Sequence, residues 1–417
     1  MTSTSSAGTD QGDATPVAFG SGLRSEWLLD PAVTYLNHGT VGAPPRKVLE
    51  YQWALTQLIE RQPAQFMLRE LADAHATGQR SRIREAAAEV AAFVGADADG
   101  LVFVDNITEG ANAVLKSYPL GPGDQVFTTD LGYGGVTKAA EFAARSAGAE
   151  HRSIAMPRPG AQPAAFVAAI AEVFEHAPPA RTRLLVVDHL TSTTALLLPI
   201  AEIAAVAHAA GAFVLADGAH VPGQVALDIA SLGVDWYAAN LHKWAWAPRS
   251  AGFLWTAPEH RPALRPTVTS WGLDLGIAAE FDLPGTHNPT AFLSAPYALE
   301  LMQSYGLAAV WRYTHELACW SGQFLADSWG TPWSTPEEMV AAMVTVRLPA
   351  SLGGSPAEAA GVFAALAVRG IEVPIYPLGT HLETRVSAAI YCDRSDVERL
   401  AAAVIELAGP PRPGAAS

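Results

Sequence analysis

Between residues 101 and 256 the chain repeats one pattern, a short apolar run followed by an alanine-rich stretch with helical spacing. "LVFV" leads into "TEGANAVLKSY", "QVFTTD" into "GGVTKAAEFAARSAG", and "HRSIAM" into "QPAAFVAAIAEVFEHA". "RLLVVDHL" precedes "PIAEIAAVAHAAG", "AFVLAD" precedes the short "DIASLG", and "WYAANL" and "GFLWT" close the series. A strand that is apolar throughout needs cover on both faces, which crossover helices on a mostly parallel sheet provide. The pattern therefore predicts an α/β fold whose large domain holds a mostly parallel seven-stranded sheet. Ligands of such sheets sit at the carboxyl ends of the strands. The polar groups to inspect are Asn106 to Glu109, Asp130 to Tyr133, His189 to Thr194, Asp217 to His220, and His242 with Lys243.

The stretch from 260 to 290 is rich in Pro, Gly and Thr and reads as irregular connection. Beyond it, "AFLSAPYALELMQSYG", "SPAEAAGVFAALAVRG" and "RSDVERLAAAVIELAG" read as helices, and "MVTVRLP" and "TRVSAAIYC" as strands. The expected organisation is a large domain over 23–285 and a smaller α+β C-terminal domain over 286–409. Segment 23–62, with the helical "PRKVLEYQWALTQLIER", bridges the two. Residues 1–22 and 410–417 read as disordered tails.

The formal net charge of −15, with no basic cluster, speaks against nucleic acid or an anionic membrane as partner. No apolar stretch escapes interruption for long enough to span a bilayer. Two cysteines, Cys319 and Cys392, make no disulfide framework and show no CxxC or Cys/His metal spacing, so no metal and a cytoplasmic location are expected. Only 16% of residues are charged, below the usual quarter, which suggests a surface partly covered by further subunits.

Lys243 is one of four lysines and stands among Leu241, Trp244, Ala245 and Trp246 in "NLHKWAWAP". Asp217 ends "AFVLAD", and Lys243 is read at the end of the next strand but one. An Asp and a Lys at neighbouring strand ends, against an apolar wall, suit pyridoxal 5′-phosphate, with the lysine as Schiff-base partner and the aspartate keeping the ring nitrogen protonated. A charge pair at about 4 Å and an effective dielectric of about 20 is worth roughly 4 kcal/mol, or about three decades of rate. The competing reading is a structural Asp217–Lys243 salt bridge. "DNITEGAN" follows a strand and opens a helix, so the N–H groups of Thr108, Glu109 and Gly110 are expected to face a phosphate. Tyr133 could cover one face of a ring. His220 could bond the cofactor's phenolic oxygen, and His242 could do the same or donate to phosphate.

The span from "VDHLTSTTALLLP" through "ADGAHVPGQ" to "NLHKWAWAPRSAGFLW" resembles the class V, fold type I, pyridoxal-phosphate enzymes, and more narrowly their isopenicillin N epimerase-like branch. "TYLNHGTVGAPPRKVL", "PAQFMLREL", "NITEGANAVL", "LPGTHNPTAFLSAPYAL" and "TRVSAAIY" resemble the branch's other blocks in the same order. By this resemblance Lys243 carries the cofactor, Asp217 faces the pyridine nitrogen and His220 contacts a ring oxygen. Thr108 and Glu109 lie at the phosphate, Tyr133 stacks on the ring and Ser192 adds a polar contact. Gly285 and Thr286 reach a phosphate across a homodimer interface, making the active site a shared one. Arg385 grips the α-carboxylate of an amino-acid substrate, and Asn37 and His38 line the substrate entrance. The chain departs from the family in reading His287-Asn288 where an Arg-Asp pair is common, and Cys392 where Asn is usual.

The resemblance also bounds the reaction, since relatives in the branch often act on cysteine-derived compounds. A C–S β-lyase acting on a cysteine S-conjugate in a secondary-metabolite pathway is the leading expectation. An amino-acid epimerase comes next, then an aminotransferase or decarboxylative oxidative deaminase. A desulfurase needs a nucleophilic thiol on a mobile loop, yet Cys319 reads as helical and Cys392 as a buried strand residue. A non-enzymatic sensor would carry a DNA-binding domain, for which no basic segment is left.

Overall fold

The computed structural model describes residues 18–71, 81–176 and 183–409. The expected tails at 1–17 and 410–417 lie outside them. Residues 20 to 22, assigned to the tail, are anchored: the Gly20 N–H donates to the Ile390 carbonyl and Ser21–Glu26 forms a 3-10 helix.

Twelve strands are present among the described residues: β1 (Thr34–Tyr35), β2 (Leu101–Val104), β3 (Gln125–Thr129), β4 (Glu150–Ile154), β5 (Arg183–Asp188), β6 (Ala212–Asp217), β7 (Trp236–Asn240), β8 (Gly252–Thr256), β9 (Met343–Arg347), β10 (Ile371–Glu372), β11 (Ile375–Leu378) and β12 (His381–Ser387). Helices α1 (His38–Val41), α2 (Arg46–Arg61), α3 (Pro63–Gln65) and α4 (Arg82–Phe93) precede the repeating region, and α5 (Ile107–Ser117), α6 (Gly134–Ala147), α7 (Pro163–His176) and α8 (Ile200–Ala209) are its crossovers. The C-terminal part holds α9 (Ile277–Asp282), α10 (Thr290–Ser304), α11 (Leu307–Trp329), α12 (Pro356–Val368) and α13 (Arg394–Ala408).

The seven-stranded sheet runs β2-β8-β7-β6-β5-β3-β4, parallel except for β8. The connection from β7 to β8 is too short for the crossover a parallel neighbour demands, so β8 turns back between β7 and β2. The sheet is covered on both faces, as its apolar strands require. Leu185 and Val187 of β5 enter one core, while Leu184 and Val186 enter the other.

The smaller sheet, β11-β12-β9, is antiparallel and packed by α11 and α12. β12 stops at Ser387, short of the expected end at Cys392, because the chain turns there: the Cys392 N–H bonds back to the Ala389 carbonyl. In the N-terminal segment β1 pairs with β10 and α2 packs on α10, both of the C-terminal part. Helix α10 follows the expected boundary at 285/286, yet it also packs on α4 of the larger half.

Candidate active site

Asp188 ends β5 and Asp217 ends β6, side by side in register. Lys243 lies just past β7, the strand hydrogen-bonded to β6, and not at the next strand but one as the sequence suggested. Its loop is clamped from the N-terminal segment. His38 donates from Nε2 to the Lys243 carbonyl oxygen (3.0 Å) and accepts at Nδ1 from the Tyr391 hydroxyl (2.8 Å). Trp244 packs on His38 and Trp246 on Trp27, with ring centroids 4.8 and 5.6 Å apart. Trp246 adopts a left-handed φ of 61°, unusual for so bulky a residue, and burial holds it there. Gly42, at φ 69°, approaches so closely that any Cβ would overlap the His242 carbonyl oxygen. The tryptophans around the lysine are therefore the packing that fixes its backbone.

The side chain is held differently. Lys243 Nζ lies 3.1 Å from His220 Nε2, and no ion pair joins it to Asp217 among the described residues. The structural salt bridge is thus not made. Burial and the nearby Arg385 charge pull the Lys243 pKa down to about 8, against the opposing pull of Asp217 and Asp188. Burial, then the Lys243 charge, holds His220 neutral. A neutral His220 that accepts from the ammonium at Nε2 carries its proton on Nδ1, which is buried with no partner. Asp217 is 2% exposed; its Oδ1 accepts the Ala219 N–H (2.9 Å), while Oδ2 is buried with no partner. Burial raises the Asp217 pKa to about 6.

Above this floor opens a cavity of about 1030 Å³, lined among others by Thr108, Tyr133, Ser192, His242, Lys243 and Arg385. The α5 N-terminus faces it, but its donors are fewer than expected. Asn106 Oδ1 takes the Glu109 N–H, the Asn106 carbonyl takes the Gly110 N–H and Asn240 Oδ1 takes the Ile107 N–H. The Thr108 N–H and hydroxyl remain. Glu109 lines the cavity, with its carboxylate bonded to the Asp105 N–H (2.6 Å). Tyr133, 42% exposed, donates its N–H to Asp188 Oδ1 (3.3 Å). His242 donates from Nδ1 to the Ala251 carbonyl (2.9 Å), and burial lowers its pKa to about 4. It therefore offers the cavity an acceptor at Nε2, not the donor to phosphate that the sequence suggested.

Arg385 comes from β12 of the smaller sheet and is 1% exposed. Its guanidinium donates to the Ser192 carbonyl and hydroxyl and to the Thr40 hydroxyl, leaving Nε buried without a partner. Asn37 and His38, expected at the entrance, are buried behind it: Asn37 bonds Glu372, and His38 holds the lysine loop. Gly39 and Thr40, next along the same turn, line the cavity in their place. Gly285 and Thr286 are exposed and line no part of this chain's cavity. Nor do His287, Asn288, Cys319 and Cys392 line it. Cys392 packs against the Tyr35 carbonyl, and burial pushes its thiol well above the ordinary range.

Sequence reasoning passed over Asp188, although it ends an apolar strand just as Asp217 does. It also missed Thr40 and Tyr376, whose positions depend on how the smaller sheet folds back onto the strand ends.

The orphaned atoms test the expected cofactor. Asp217 Oδ2 offers an acceptor and His220 Nδ1 a donor, and each unmet buried group costs about 1–3 kcal/mol. A protonated pyridine ring with a phenolic oxygen answers both, and Thr108 at the helix terminus suits its phosphate. The residues fit pyridoxal 5′-phosphate.

A family profile described as aminotransferase class-V matches residues 67–400. Isopenicillin N epimerase of Streptomyces clavuligerus is 31% identical over 404 residues, covering 93% of this chain and 98% of that protein. Putative L-cysteine desulfhydrase 2 of Oryza sativa subsp. japonica is 33% identical over 365 residues, 83% of this chain and 74% of that protein. Among solved structures, apo cysteine desulfurase from Thermococcus onnurineus NA1 superposes with a TM-score of 0.77 at 20% identity, over 95% of this chain and 99% of that one.

Proposed function

This chain belongs to the aminotransferase class-V family, in its isopenicillin N epimerase-like branch, with the type I fold and pyridoxal 5′-phosphate as cofactor, and we propose that it is a C–S β-lyase acting on a cysteine S-conjugate. When bound, the cofactor supplies a carbonyl that joins an amine and a cationic ring that draws electrons from the substrate's Cα. Lys243, Asp217 and His220 would hold the ring, Thr108 and Glu109 would lie at the phosphate end, and Tyr133 would cover the face turned to solvent.

The observation that carries the reading is the state of Lys243. Its pKa near 8 lets the amine act as a general base close to neutral pH, and it is tied to a neutral histidine instead of a carboxylate. Arg385 would fork onto the substrate carboxylate, which places Cα beside that amine. A β-lyase needs this one base and an aligned leaving group, whereas epimerisation needs a second proton donor on the opposite face. His242 lines the cavity with its Nδ1 proton committed and its pKa near 4, so it is not that donor. The similarity to a putative L-cysteine desulfhydrase supports a cysteine-derived substrate. The similarity to isopenicillin N epimerase supports a role in secondary metabolism and keeps epimerisation as the second reading.

The active site is shared between two copies of the chain in the cytoplasm, with Gly285 and Thr286 of each reaching the phosphate end of the other. Supporting this, Trp271 and Leu275 are 88% and 69% exposed and follow Thr267, which lines the cavity. No helix among the described residues is long and apolar enough to cross a membrane.

Incubating the holoenzyme with S-substituted cysteines tests the reaction. Thiol and pyruvate released in equal amounts support the lyase. Solvent deuterium entering Cα with loss of optical rotation, and no thiol, establishes the epimerase instead.

A further inference from the structure

Helix α11 packs on β9, away from the cofactor cavity, and carries His315 and Cys319 one turn apart on the same face. Cys319 Sγ lies 3.7 Å from His315 Nε2. A 3-10 turn, Glu337–Met339, brings a carboxylate to the same point, with Glu337 Oε1 3.5 Å from His315 Nε2. The three ligand atoms lie within 4.8 Å of one another. The next residue, Val340, accepts at its carbonyl from His315 Nδ1 (3.2 Å). That bond places the ring proton on Nδ1 and leaves Nε2 as the acceptor, with Glu337 Oε1 at 3.5 Å. Cys319 Sγ sits beside the ring, 3.7 Å from Nε2 and 4.0 Å from Nδ1, and would turn about its side-chain torsion to meet a metal there. A histidine that ligates a metal is held this way, its other nitrogen donating to a backbone carbonyl or carboxylate.

We propose that His315, Cys319 and Glu337 form a binding site for a zinc-class divalent cation on the smaller half of the molecule. Tetrahedral zinc with ordinary Zn–S and Zn–N distances sets its ligand atoms roughly 3.5 Å apart, close to the spacings found. A thiolate, an imidazole and one carboxylate favour zinc over the hard cations magnesium and calcium. Three protein ligands leave a fourth place for water. On binding, the Cys319 thiol gives its proton to solvent as the sulfur–metal bond forms. The described residues hold one other cluster of this kind, Asp235, Glu259 and His260. There both Asp235 oxygens are committed, to His260 and to His208 with the Val214 N–H, so the carboxylate is already satisfied.

The site is independent of the reaction, since none of its residues lines the cofactor cavity. It would clip α11 to the segment that enters β9, and β9 is paired with β12, the strand bearing Arg385. Metal bound only by the folded chain adds stability by mass action.

The test uses holoenzyme freed of metal by a chelator and then dialysed against zinc alone, in wild type, Cys319→Ser and Glu337→Gln. Glu337 is largely exposed, so that variant is expected to fold. The proposal expects one zinc per wild-type chain, none retained by Cys319→Ser, and affinity lowered at least about tenfold in Glu337→Gln, since loss of even an outer-shell partner costs that much. Zinc should also protect Cys319 from alkylation in wild type, read by peptide mass, with turnover unchanged. A wild type that retains no zinc overturns the proposal. So does retention that is unaltered in either variant.

Discussion

Two buried aspartates sit at opposite ends of the same pair of strands and differ in everything but residue type. Asp235, just before β7, accepts from His208, His260 and the Val214 N–H, and these donors hold its carboxyl below the usual carboxylate range. Asp217, at the end of β6, accepts one N–H, keeps Oδ2 unmet, and has its pKa pushed up to about 6 by burial. A fold that satisfies one carboxylate fully could have satisfied the other. The difference teaches that the carboxyl end of the sheet is shaped for a group the polypeptide does not contain, while the amino end is finished structure.

The comparison breaks most readily at Lys243. Lys243→Ala should lower turnover by at least about four decades, since it removes both the general base and the covalent attachment; steady-state assay with saturating cofactor checks this. Asp217→Asn should cost about three decades through loss of the ring's charge partner. The same change should stabilise the cofactor-free chain by roughly 1–3 kcal/mol, because it removes a buried charge that burial disfavours and whose Oδ2 has no partner. Asp235→Asn should do the reverse, destabilising by about 1–3 kcal/mol with turnover per folded molecule intact. Urea unfolding of both variants, alongside activity, tests the opposition in sign. If both lose stability alike, Asp217 is not held open.

Arg385→Lys should raise KM by about ten- to a hundredfold with a smaller change in kcat, as a forked contact to carboxylate is lost. The smallest effect is one of pH. Asp217 has its pKa raised from 3.8 to about 6 in the folded chain, so it binds a proton there that the unfolded chain has lost. Relative to Asp217→Asn, the cofactor-free protein should therefore lose stability as pH rises through that window. Buried neutral histidines such as His38 and His242, with folded pKa values of about 4, contribute the opposite trend to both proteins. Asp235, with its pKa lowered, contributes stability above the unfolded value and loses it as pH falls through the folded one. Unfolding midpoints against pH should show the advantage of wild type over Asp217→Asn falling as pH rises from about 4 to 6, and its advantage over Asp235→Asn falling as pH drops through the folded pKa of Asp235.

The sheet was legible in the sequence because apolar strands and alanine-rich crossovers each repeat a period that one fold satisfies. The direction of β8 was less so, since it follows from a connection length and not from side-chain pattern. Lys243 and Asp217 stood out because charges in apolar surroundings are costly and therefore informative. His38 did not reveal its place: a histidine in "LNHGT" could face the entrance or clamp the lysine loop, and only the fold of the C-terminal half, which supplies Tyr391, decides. The α5 terminus was over-read because Asn106, the motif's own cap, takes the Glu109 N–H, and Asn240, from β7 and outside the motif, takes that of Ile107. The sequence reading expected no metal because it passed over the one-turn spacing of His315 and Cys319, and Glu337, the third member of that cluster, comes from another segment.

The account rests on Lys243 as the residue that bears the cofactor. Reduction of the purified holoenzyme with borohydride, then peptide mass mapping, tests it most directly. The prediction is a pyridoxyl-phosphate mass increment on the peptide containing Lys243 and on no other lysine peptide. An unmodified Lys243 in enzyme that retains its cofactor would contradict it.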